Sequence, residues 1–443
     1  MTVNAPLAEP EPPSRAARQL HQVARVLLVS STFPPVTGGS AIVYENICRF
    51  AGGAVVALAP SHDYLTGRSL AGAAEHDRQA GYPIYRVPLL RPVNIARRPG
   101  LIFALRSALG DIVLMLQLLR RVIGVSRREN VQVICLGDLV YGGWLVFPLK
   151  YVFRYKVIFY VHGEEVTVQS GGGLFDGWRA RFLAHADAII SVSRFTREAL
   201  TRLMQVDPAK VTLVPNGVNL ERFQVRTAPQ GLAARYGVEG KRILLSVGRL
   251  VARKGADRLI EAMPQIVRRC PDVHLLIAGD GPMRAKLEGS IQALGLQKNV
   301  NFLGAVSDRE LDDLYAFSDA FALPNREMPD GDTEGFGLVF LEANACGKPV
   351  VAGRAGGAPD AVTDQVNGLT VDGNSADAIA DAVSSLFTDK GLYERLSQGA
   401  LAVARRSGWE SRAADFLNLC GQLSGAAPAR ADEVRARAAE RQP

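Results

Sequence analysis

Short apolar runs alternate with longer helical stretches along most of the chain, and this alternation most constrains its fold. The first run, residues 26–30 (VLLVS), is followed by a glycine turn and a helical pattern near residues 40–50. An apolar run of about four to eight residues is typical of a strand buried on both faces. Further runs occupy residues 55–59, 84–87, 131–136, 157–161, 188–192 and 211–214. Strands that alternate with helices form βαβ units, so the sequence predicts an α/β, doubly wound sheet.

The pattern is interrupted once and then begins again. Residues 214–223 (VPNGVNLERF) contain a proline and an Asn-Gly pair, which favour a hinge, and a second series of strands and helices starts at residue 243. The 443 residues suffice for two domains of common size. We therefore predict two Rossmann-like domains, at 23–216 and 217–406, that face each other across a cleft. A disordered tail at 1–22 and a frayed tail at 425–443 are predicted to flank them.

Charge is distributed unevenly between the two halves of the chain. The net charge is +7, yet residues 1–220 contain 24 Lys and Arg against 15 Asp and Glu, while the second half is slightly acidic. A basic N-terminal half is compatible with an anionic membrane surface or a phosphorylated acceptor, and equally with an ordinary solvated surface. The basic residues are dispersed and no recognition motif accompanies them, which disfavours nucleic-acid binding.

Cysteine usage and hydropathy bear on location. The five cysteines are not at metal-ligand spacing, so they indicate small buried residues in a reducing compartment. Residues 1–22 lack the apolar segment of a signal peptide, and the apolar stretches at 112–119 and 142–153 are shorter than the ~20 residues of a spanning helix. We expect a cytoplasmic protein that is either soluble or peripheral at the inner face of the membrane.

A glycine-rich motif follows the first strand of the first predicted domain, and a basic motif follows the first strand of the second. Gly38 and Gly39 come after the first strand and precede a helix, a position that favours a bound phosphate, although a plain glycine turn explains them equally well. Arg249 and Lys254 follow the strand at 243–247 and also precede a helix. Two cations there would neutralise a diphosphate; the alternative is two solvated surface residues.

The most specific motif is EGFGLVFLE at residues 334–342. Glu334 and Glu342 lie eight residues apart around a loop-to-helix junction whose glycines expose backbone N–H groups. Carboxylates in this setting can accept hydrogen bonds from sugar and ribose hydroxyls. His162, at the end of the strand at 157–161, is predicted to point toward the cleft, with a core role as the alternative. Glycine turns near Gly281 and Val306 are expected to line the nucleotide pocket.

Together these motifs resemble those of the family 4 retaining glycosyltransferases of GT-B fold, also called group 1 glycosyltransferases. The resemblance spans residues 26–423. It is strongest in GRLVARKG (248–255) and in LPNREMPDGDTEGFGLVFLEANACGKPVVAGRAGG (323–357). Within it, the section around residues 334–357 is similar to the donor motif of bacterial mannosyltransferases that build phosphatidylinositol mannosides.

The resemblance implies a role for each matching residue. Arg249 and Lys254 would grip the diphosphate, Glu334 would hold hydroxyls of the donor sugar, and the last helix, 409–423, would pack back on the N-terminal domain. The implied catalytic set is His162, Arg249, Lys254 and Glu334. The implied substrate-binding set is Gly38, Gly39, Gly281, Val306, Gly335, Phe336, Gly337, Leu338 and Glu342. No metal or other cofactor is expected, because the two cations would supply the electrostatic stabilisation.

The expected activity is therefore retaining transfer of a hexose from a nucleotide-diphosphate sugar, GDP-mannose or a UDP-sugar, in cell-envelope polysaccharide or glycolipid synthesis. The acceptor is a hydroxyl that the sequence does not identify. Two alternatives remain: a nucleotide-sugar epimerase or glycan phosphorylase of the same architecture, and a non-catalytic, membrane-associated protein that binds nucleotide sugars.

Overall fold

A computed structural model describes residues 23–64, 66–90, 101–168 and 176–429, with side chains from residue 109 in the long helix that begins at residue 101. The predicted disordered tail at 1–22, the basic segment at 91–98 and most of the predicted frayed tail lie outside the described residues.

The first sheet has seven parallel strands in the order β3-β2-β1-β4-β5-β6-β7. Its strands are β1 (Val26–Val29), β2 (Val55–Pro60), β3 (Ile84–Val87), β4 (Val133–Leu136), β5 (Lys156–Val161), β6 (Ala188–Ser191) and β7 (Val211–Leu213). Val26 pairs with Val55 on one side and with Val133 on the other, both in parallel, so the order in which strands are added to the sheet reverses at β1. A reversal of this kind opens a crevice at the carboxyl ends of the two central strands. We call this sheet and the helices between its strands the N lobe.

The second sheet repeats the arrangement with six parallel strands in the order β10-β9-β8-β11-β12-β13. They are β8 (Arg242–Val247), β9 (Val273–Ala278), β10 (Val300–Gly304), β11 (Ala320–Leu323), β12 (Val350–Gly353) and β13 (Gly368–Val371). Here the reversal lies between β8 and β11. We call this sheet, with the helices that follow its strands up to residue 406, the C lobe. The predicted pair of doubly wound, Rossmann-like units is confirmed.

Helices connect the strands in both lobes. Those of the N lobe are α1 (Gly39–Phe50), α2 (Ala73–Gln79), α3 (Leu101–Arg128), α4 (Leu139–Gly142), α5 (Glu164–Thr167), α6 (Arg179–His185) and α7 (Arg194–Met204). Those that follow are α8 (Leu232–Tyr236), α9 (Ala256–Arg269), α10 (Arg284–Ala293), α11 (Asp308–Phe317), α12 (Leu338–Ala345), α13 (Ala358–Ala361), α14 (Ala376–Thr388), α15 (Lys390–Arg406) and α16 (Trp409–Ser424).

The chain crosses between the lobes twice, and the two crossings touch. Val218 donates its N–H to Ser407 O at 2.8 Å, and the Trp409 ring leaves no room for a side chain at Gly217. Beyond this point α16 packs on α1 and β4, with Phe416 against Tyr160 in the N lobe. Both crossings therefore lie side by side, while the domain bounds at 216 and 406 stay a prediction.

Strand β13 was not predicted, because Gly368 and Thr370 interrupt the apolar residues of GLTV. The segment at 120–128 forms the last turns of α3, since its apolar residues recur at helical spacing and Val122 and Val125 pack into the core. No helix among the described residues is both long enough and apolar enough to cross a membrane.

Candidate active site

The carboxyl ends of both sheets meet at the cleft, and the loops there touch across it. A side chain added at Gly335 of the C lobe would collide with the carbonyl oxygen of His162 in the N lobe. One at Gly331 would lie 2.7 Å from Thr167 O. Only glycine allows such an approach of two backbones. The segment after β5 is thus in direct contact with the glycine-rich segment before α12.

A second contact holds the lobes together at the start of α7. Asp360, on α13, accepts a hydrogen bond from the Arg194 backbone N–H at 2.9 Å and another from its Nε at 2.7 Å. Asp360 is nearly buried, whereas the Arg194 side chain is largely exposed. This ion pair therefore links the two lobes at the edge of the cleft.

Lys254 and Glu334 form an ion pair inside the C lobe. Lys254 Nζ donates to Glu334 Oε2, and the two side chains are only 16% and 12% exposed. Burial by itself would raise the pKa of Glu334, but the charge and hydrogen bond of Lys254 outweigh it and hold the pKa below its usual value. Glu334 is therefore ionised at neutral pH and retains lone pairs that can accept hydroxyl hydrogen bonds.

Arg249 differs from Lys254 in its surroundings. It lies just after β8, its side chain is exposed, and within the described part of the chain its guanidinium has no hydrogen-bond partner. Its charge acts on Asp332, in the loop that precedes Glu334. The two predicted cations thus come from one loop, with one already paired and the other available for an anion.

The loop before Glu334 is tied to the rest of the C lobe by two ion pairs. Arg326 makes a bidentate contact with Asp257 on α9, with both N–O distances 2.8 Å. Arg253 Nε lies 3.3 Å from Asp332 Oδ1. These pairs fix the loop at both ends, beside Lys254.

Glycines bring the loops after β8 and β9 into contact. A side chain at Gly281 would lie 2.6 Å from Leu250 O, and one at Gly279, with φ of +135°, would collide with Gly248 O. Val306, after β10, is partly buried against the core. Gly281 therefore lies against the loop that carries Arg249, while the nucleotide contacts of Gly281 and Val306 stay a prediction.

The start of α12 and the residues just before it include four that were predicted to bind substrate: Gly335, Phe336, Gly337 and Leu338. Gly337 is the N-cap and has φ of +89°, a conformation that favours glycine. The Phe336 N–H donates to the Glu334 carboxylate, while Phe336 itself is buried. The residues at the start of α12 therefore hold Glu334 in place, and the positive end of the helix dipole points toward the Glu334 carboxylate.

Glu342 lies on α12 with its carboxylate on the side of α11. Its Oε2 accepts a hydrogen bond from Tyr315 Oη at 2.8 Å, and the residue is 8% exposed. Burial raises the pKa of Glu342. One carboxylate oxygen is therefore committed to Tyr315, which leaves the other for the predicted ribose contact.

In the N lobe, Gly38 and Gly39 lie at the start of α1. Both are exposed, and a side chain at either would meet no atom within 4 Å. Open space in front of a helix N-terminus is compatible with the predicted phosphate contact.

His162 follows β5 and contacts both lobes. Its Nε2 lies 2.9 Å from Tyr44 Oη, its ring stacks on Tyr160, and its carbonyl oxygen faces Gly335. Burial lowers the pKa of His162 to about 4, so the ring is neutral at physiological pH. Tyr44 gave no signal in the sequence, because a tyrosine on a helix is most often a core residue.

Glu165 is a further residue of the site that sequence reasoning did not single out. Its Oε2 accepts the backbone N–H groups of His162 and Gly163, at 3.2 and 3.0 Å. Burial is the largest effect on this carboxyl group and raises its pKa to about 7. Glu165 thus fixes the backbone turn that carries His162.

The pKa of Glu165 predicts a pH-dependent stability. Its pKa is higher in the folded than in the unfolded chain, so its contribution is full below about pH 4.5 and is lost as pH rises to about 7. Glu165→Gln should remove this loss, on the order of 2 kcal/mol, and become more stable than wild type toward pH 8. Thermal unfolding from pH 5 to 8 measures the difference. Glu198→Gln, at an exposed glutamate on α7, is the control, and parallel curves for Glu165→Gln and wild type would contradict the assignment.

Within the described ranges, no group of three or more His, Cys, Asp or Glu side chains is arranged to hold a metal ion. The charges that meet in the cleft are those of Lys254, Arg249 and Glu334.

Two facing Rossmann-like lobes with a cationic, glycine-framed cleft define a glycosyltransferase of GT-B fold. The chain matches the family "Glycosyl transferases group 1" over residues 233–402 and "Glycosyltransferase Family 4" over residues 51–222. It belongs to the family 4 (group 1) glycosyltransferases.

Named relatives and solved structures agree with this family. The chain is 33% identical over 376 residues to a GDP-mannose-dependent alpha-(1-6)-phosphatidylinositol monomannoside mannosyltransferase of Mycolicibacterium smegmatis, covering 82% of this chain and 89% of that protein. It is 31% identical to the Mycobacterium tuberculosis enzyme of the same name, covering 89% and 98%. A glycosyltransferase from Rickettsia africae superposes with a TM-score of 0.71 at 18% identity, covering 90% and 98%. Anabaena HepE in complex with UDP-glucose superposes with a TM-score of 0.69 at 20% identity, covering 90% and 99%.

Proposed function

We propose that this glycosyltransferase moves mannose from GDP-mannose to a hydroxyl of a phosphoinositide-type glycolipid, with retention of the anomeric configuration. The Lys254–Glu334 ion pair carries the proposal, with Arg249 exposed on the same loop as Lys254, because two cations and an ionised carboxylate would suit a diphosphate and the hydroxyls of a sugar. The mycobacterial relatives, which share about a third of their residues with this chain, support the choice of donor and acceptor.

The site residues would divide the work between leaving group and sugar. Arg249 and Lys254 bind the diphosphate and stabilise the negative charge that it gains as the bond to the anomeric carbon breaks. Glu334 accepts hydrogen bonds from hydroxyls of the mannose, and Glu342 from the ribose. Gly38, Gly39 and the start of α12 supply further N–H groups to anionic oxygens.

Retention would follow from attack on the same face that the diphosphate leaves. The electron pair of the sugar–phosphate C–O bond departs with the diphosphate, the acceptor oxygen bonds to the anomeric carbon, and its proton passes to a phosphate oxygen. The Glu165 carboxylate near His162 is turned back on backbone N–H groups, so it is engaged in holding the turn rather than poised as a nucleophile.

One assay tests donor, acceptor and stereochemistry together. Nucleotide release is measured with GDP-mannose, UDP-glucose and other UDP-hexoses, each with phosphatidylinositol, its monomannoside or no acceptor, before and after EDTA treatment. We expect turnover with GDP-mannose and the mannolipid, an α-linked product by NMR, and no loss of rate with EDTA. An inverted product, or a rate that EDTA abolishes and Mg²⁺ restores, would overturn the retaining, metal-independent scheme. An epimer or sugar phosphate formed without lipid would favour the alternative enzymes.

We further propose that α3 carries the membrane contact that a lipid acceptor requires. Four apolar side chains at helical spacing, each 45–63% exposed, lie on the middle of this helix: Leu109, Ile112, Val113 and Leu116. Exposed arginines follow on the same helix at 120, 121, 127 and 128. An apolar stripe next to a basic end complements an anionic bilayer, since the former buries in the acyl boundary and the latter pairs with headgroups.

Removing the apolar stripe should release the protein from membranes. Ile112→Gln with Leu116→Gln is expected to weaken binding to vesicles containing anionic phospholipid by about tenfold for each side chain. Vesicle co-sedimentation measures the change. Leu294→Gln, at a leucine of similar exposure beyond α10 in the C lobe, is the matched control. Equal binding by all variants would exclude α3 as the contact.

A further inference from the structure

Tyr44 connects His162 to the end of strand β4. Its side chain is fully buried on α1, and its hydroxyl lies 2.8 Å from Gly137 O and 2.9 Å from His162 Nε2. A side chain at Gly137 would lie 2.6 Å from the Tyr44 ring, so the glycine is needed for this approach. The hydroxyl therefore bridges a backbone carbonyl and the imidazole.

The single proton of the hydroxyl decides how the bridge is made. A carbonyl oxygen only accepts, so the Tyr44 proton goes to Gly137 O and the hydroxyl oxygen must accept from His162 Nε2. In the opposite arrangement two lone-pair oxygens would face each other at 2.8 Å in a buried site, which is costly. The network thus assigns the proton of the neutral imidazole to Nε2.

The remaining ring nitrogen is left as an acceptor. With Nε2 committed to Tyr44, Nδ1 keeps its lone pair, and it has no hydrogen-bond partner in the described part of the chain. The backbone of the same residue is fixed by Glu165 and touches Gly335, next to Glu334. His162 therefore offers a fixed acceptor close to the residue proposed to hold the sugar.

We propose that Tyr44 is a positioning residue that holds His162 as the Nε2–H tautomer, so that Nδ1 accepts a hydrogen bond from a hydroxyl of the bound donor sugar. This proposal rests on the proposed sugar site and specifies the direction of one hydrogen bond there. His162 accepts that hydrogen bond at Nδ1 and does not donate one. A sugar lacking that hydroxyl would leave Nδ1 unpaired.

Side-chain ¹⁵N NMR reads the tautomer without reference to activity. The chain has six histidines, and the signal that disappears in His162→Gln is assigned to His162. In the wild-type protein we expect this residue to show the chemical shift of a protonated nitrogen at Nε2 and that of an unprotonated nitrogen at Nδ1. Tyr44→Phe keeps the ring and removes the acceptor, so the two tautomers should become mixed. A wild-type signal protonated on Nδ1, or an unchanged signal in Tyr44→Phe, would overturn the proposal even if transfer activity were absent.

Kinetics then separate positioning from a purely structural role. Tyr44→Phe should lower kcat for transfer by about tenfold to one-hundredfold, while the Kd for GDP stays unchanged, because neither Tyr44 nor His162 is among the proposed nucleotide contacts. Tyr160→Phe is the matched control: Tyr160 stacks on the same imidazole, but its buried hydroxyl has no hydrogen-bond partner among the described residues. An unchanged kcat in Tyr44→Phe, or an equal fall in both variants, would contradict the assignment while leaving the transferase function intact.

Discussion

Replacing Lys254 with alanine is expected to slow sugar transfer by about a hundredfold to a thousandfold. Two effects combine. The diphosphate loses one of its two cations, and Glu334 loses the ammonium that keeps it ionised in a buried position. Without that partner, only the charge of Arg253 and the Phe336 backbone N–H still oppose burial, so the pKa of Glu334 rises and its neutral form becomes more populated.

Steady-state kinetics and calorimetric titration with GDP measure the two effects, since the first weakens nucleotide binding and the second lowers kcat. The control is Lys390→Ala. Lys390 also faces a glutamate, Glu394, at 3.6 Å, but its side chain is 90% exposed, so its loss should be nearly neutral. Normal turnover in Lys254→Ala would remove the basis of the proposed site.

Gly335→Ala is expected to lower kcat by about a hundredfold with little change in stability. Gly335 is not in the left-handed region, so its own backbone accepts alanine. The added methyl group would instead collide with the carbonyl oxygen of His162 in the opposite lobe. The lobes could then no longer meet at this point, and Glu334 and His162 would lie farther apart.

Nucleotide affinity should be largely preserved in Gly335→Ala, because the C lobe alone supplies the cations. Gly289→Ala is the matched control: Gly289 lies exposed on α10 with no atom within 4 Å of the added group, and the change should stabilise the helix slightly. If Gly335→Ala turned over as fast as Gly289→Ala, the contact between the lobes would have no part in catalysis.

The two sheets were predictable because their strands are buried on both faces. A run such as residues 157–161 has no polar residue to obscure it, and the structure places β5 at Lys156–Val161. Strand β13 was missed because Gly368 and Thr370 interrupt its apolar residues.

The residues of the candidate site could also be proposed from the sequence, but the contacts between them could not. The spacing around Gly335 and Gly337 indicated a helix start with a carboxylate, which the structure confirms for α12. Nothing in the sequence pairs Lys254 with Glu334, 80 residues away, or Tyr44 with His162, 118 residues away. Such pairs depend on how strands order in the sheet, and a single sequence does not encode that order locally.

The position of α16 has a consequence for how the protein is made. This helix is the last described element of the chain, yet Phe416 and its neighbours complete the hydrophobic core beneath α1 and β4. On the ribosome, the first half of the chain emerges early but lacks this helix until residues 409–424 have been synthesised. The second half can therefore reach its native structure first, and a nascent chain stalled before Trp409 would expose apolar surface to chaperones.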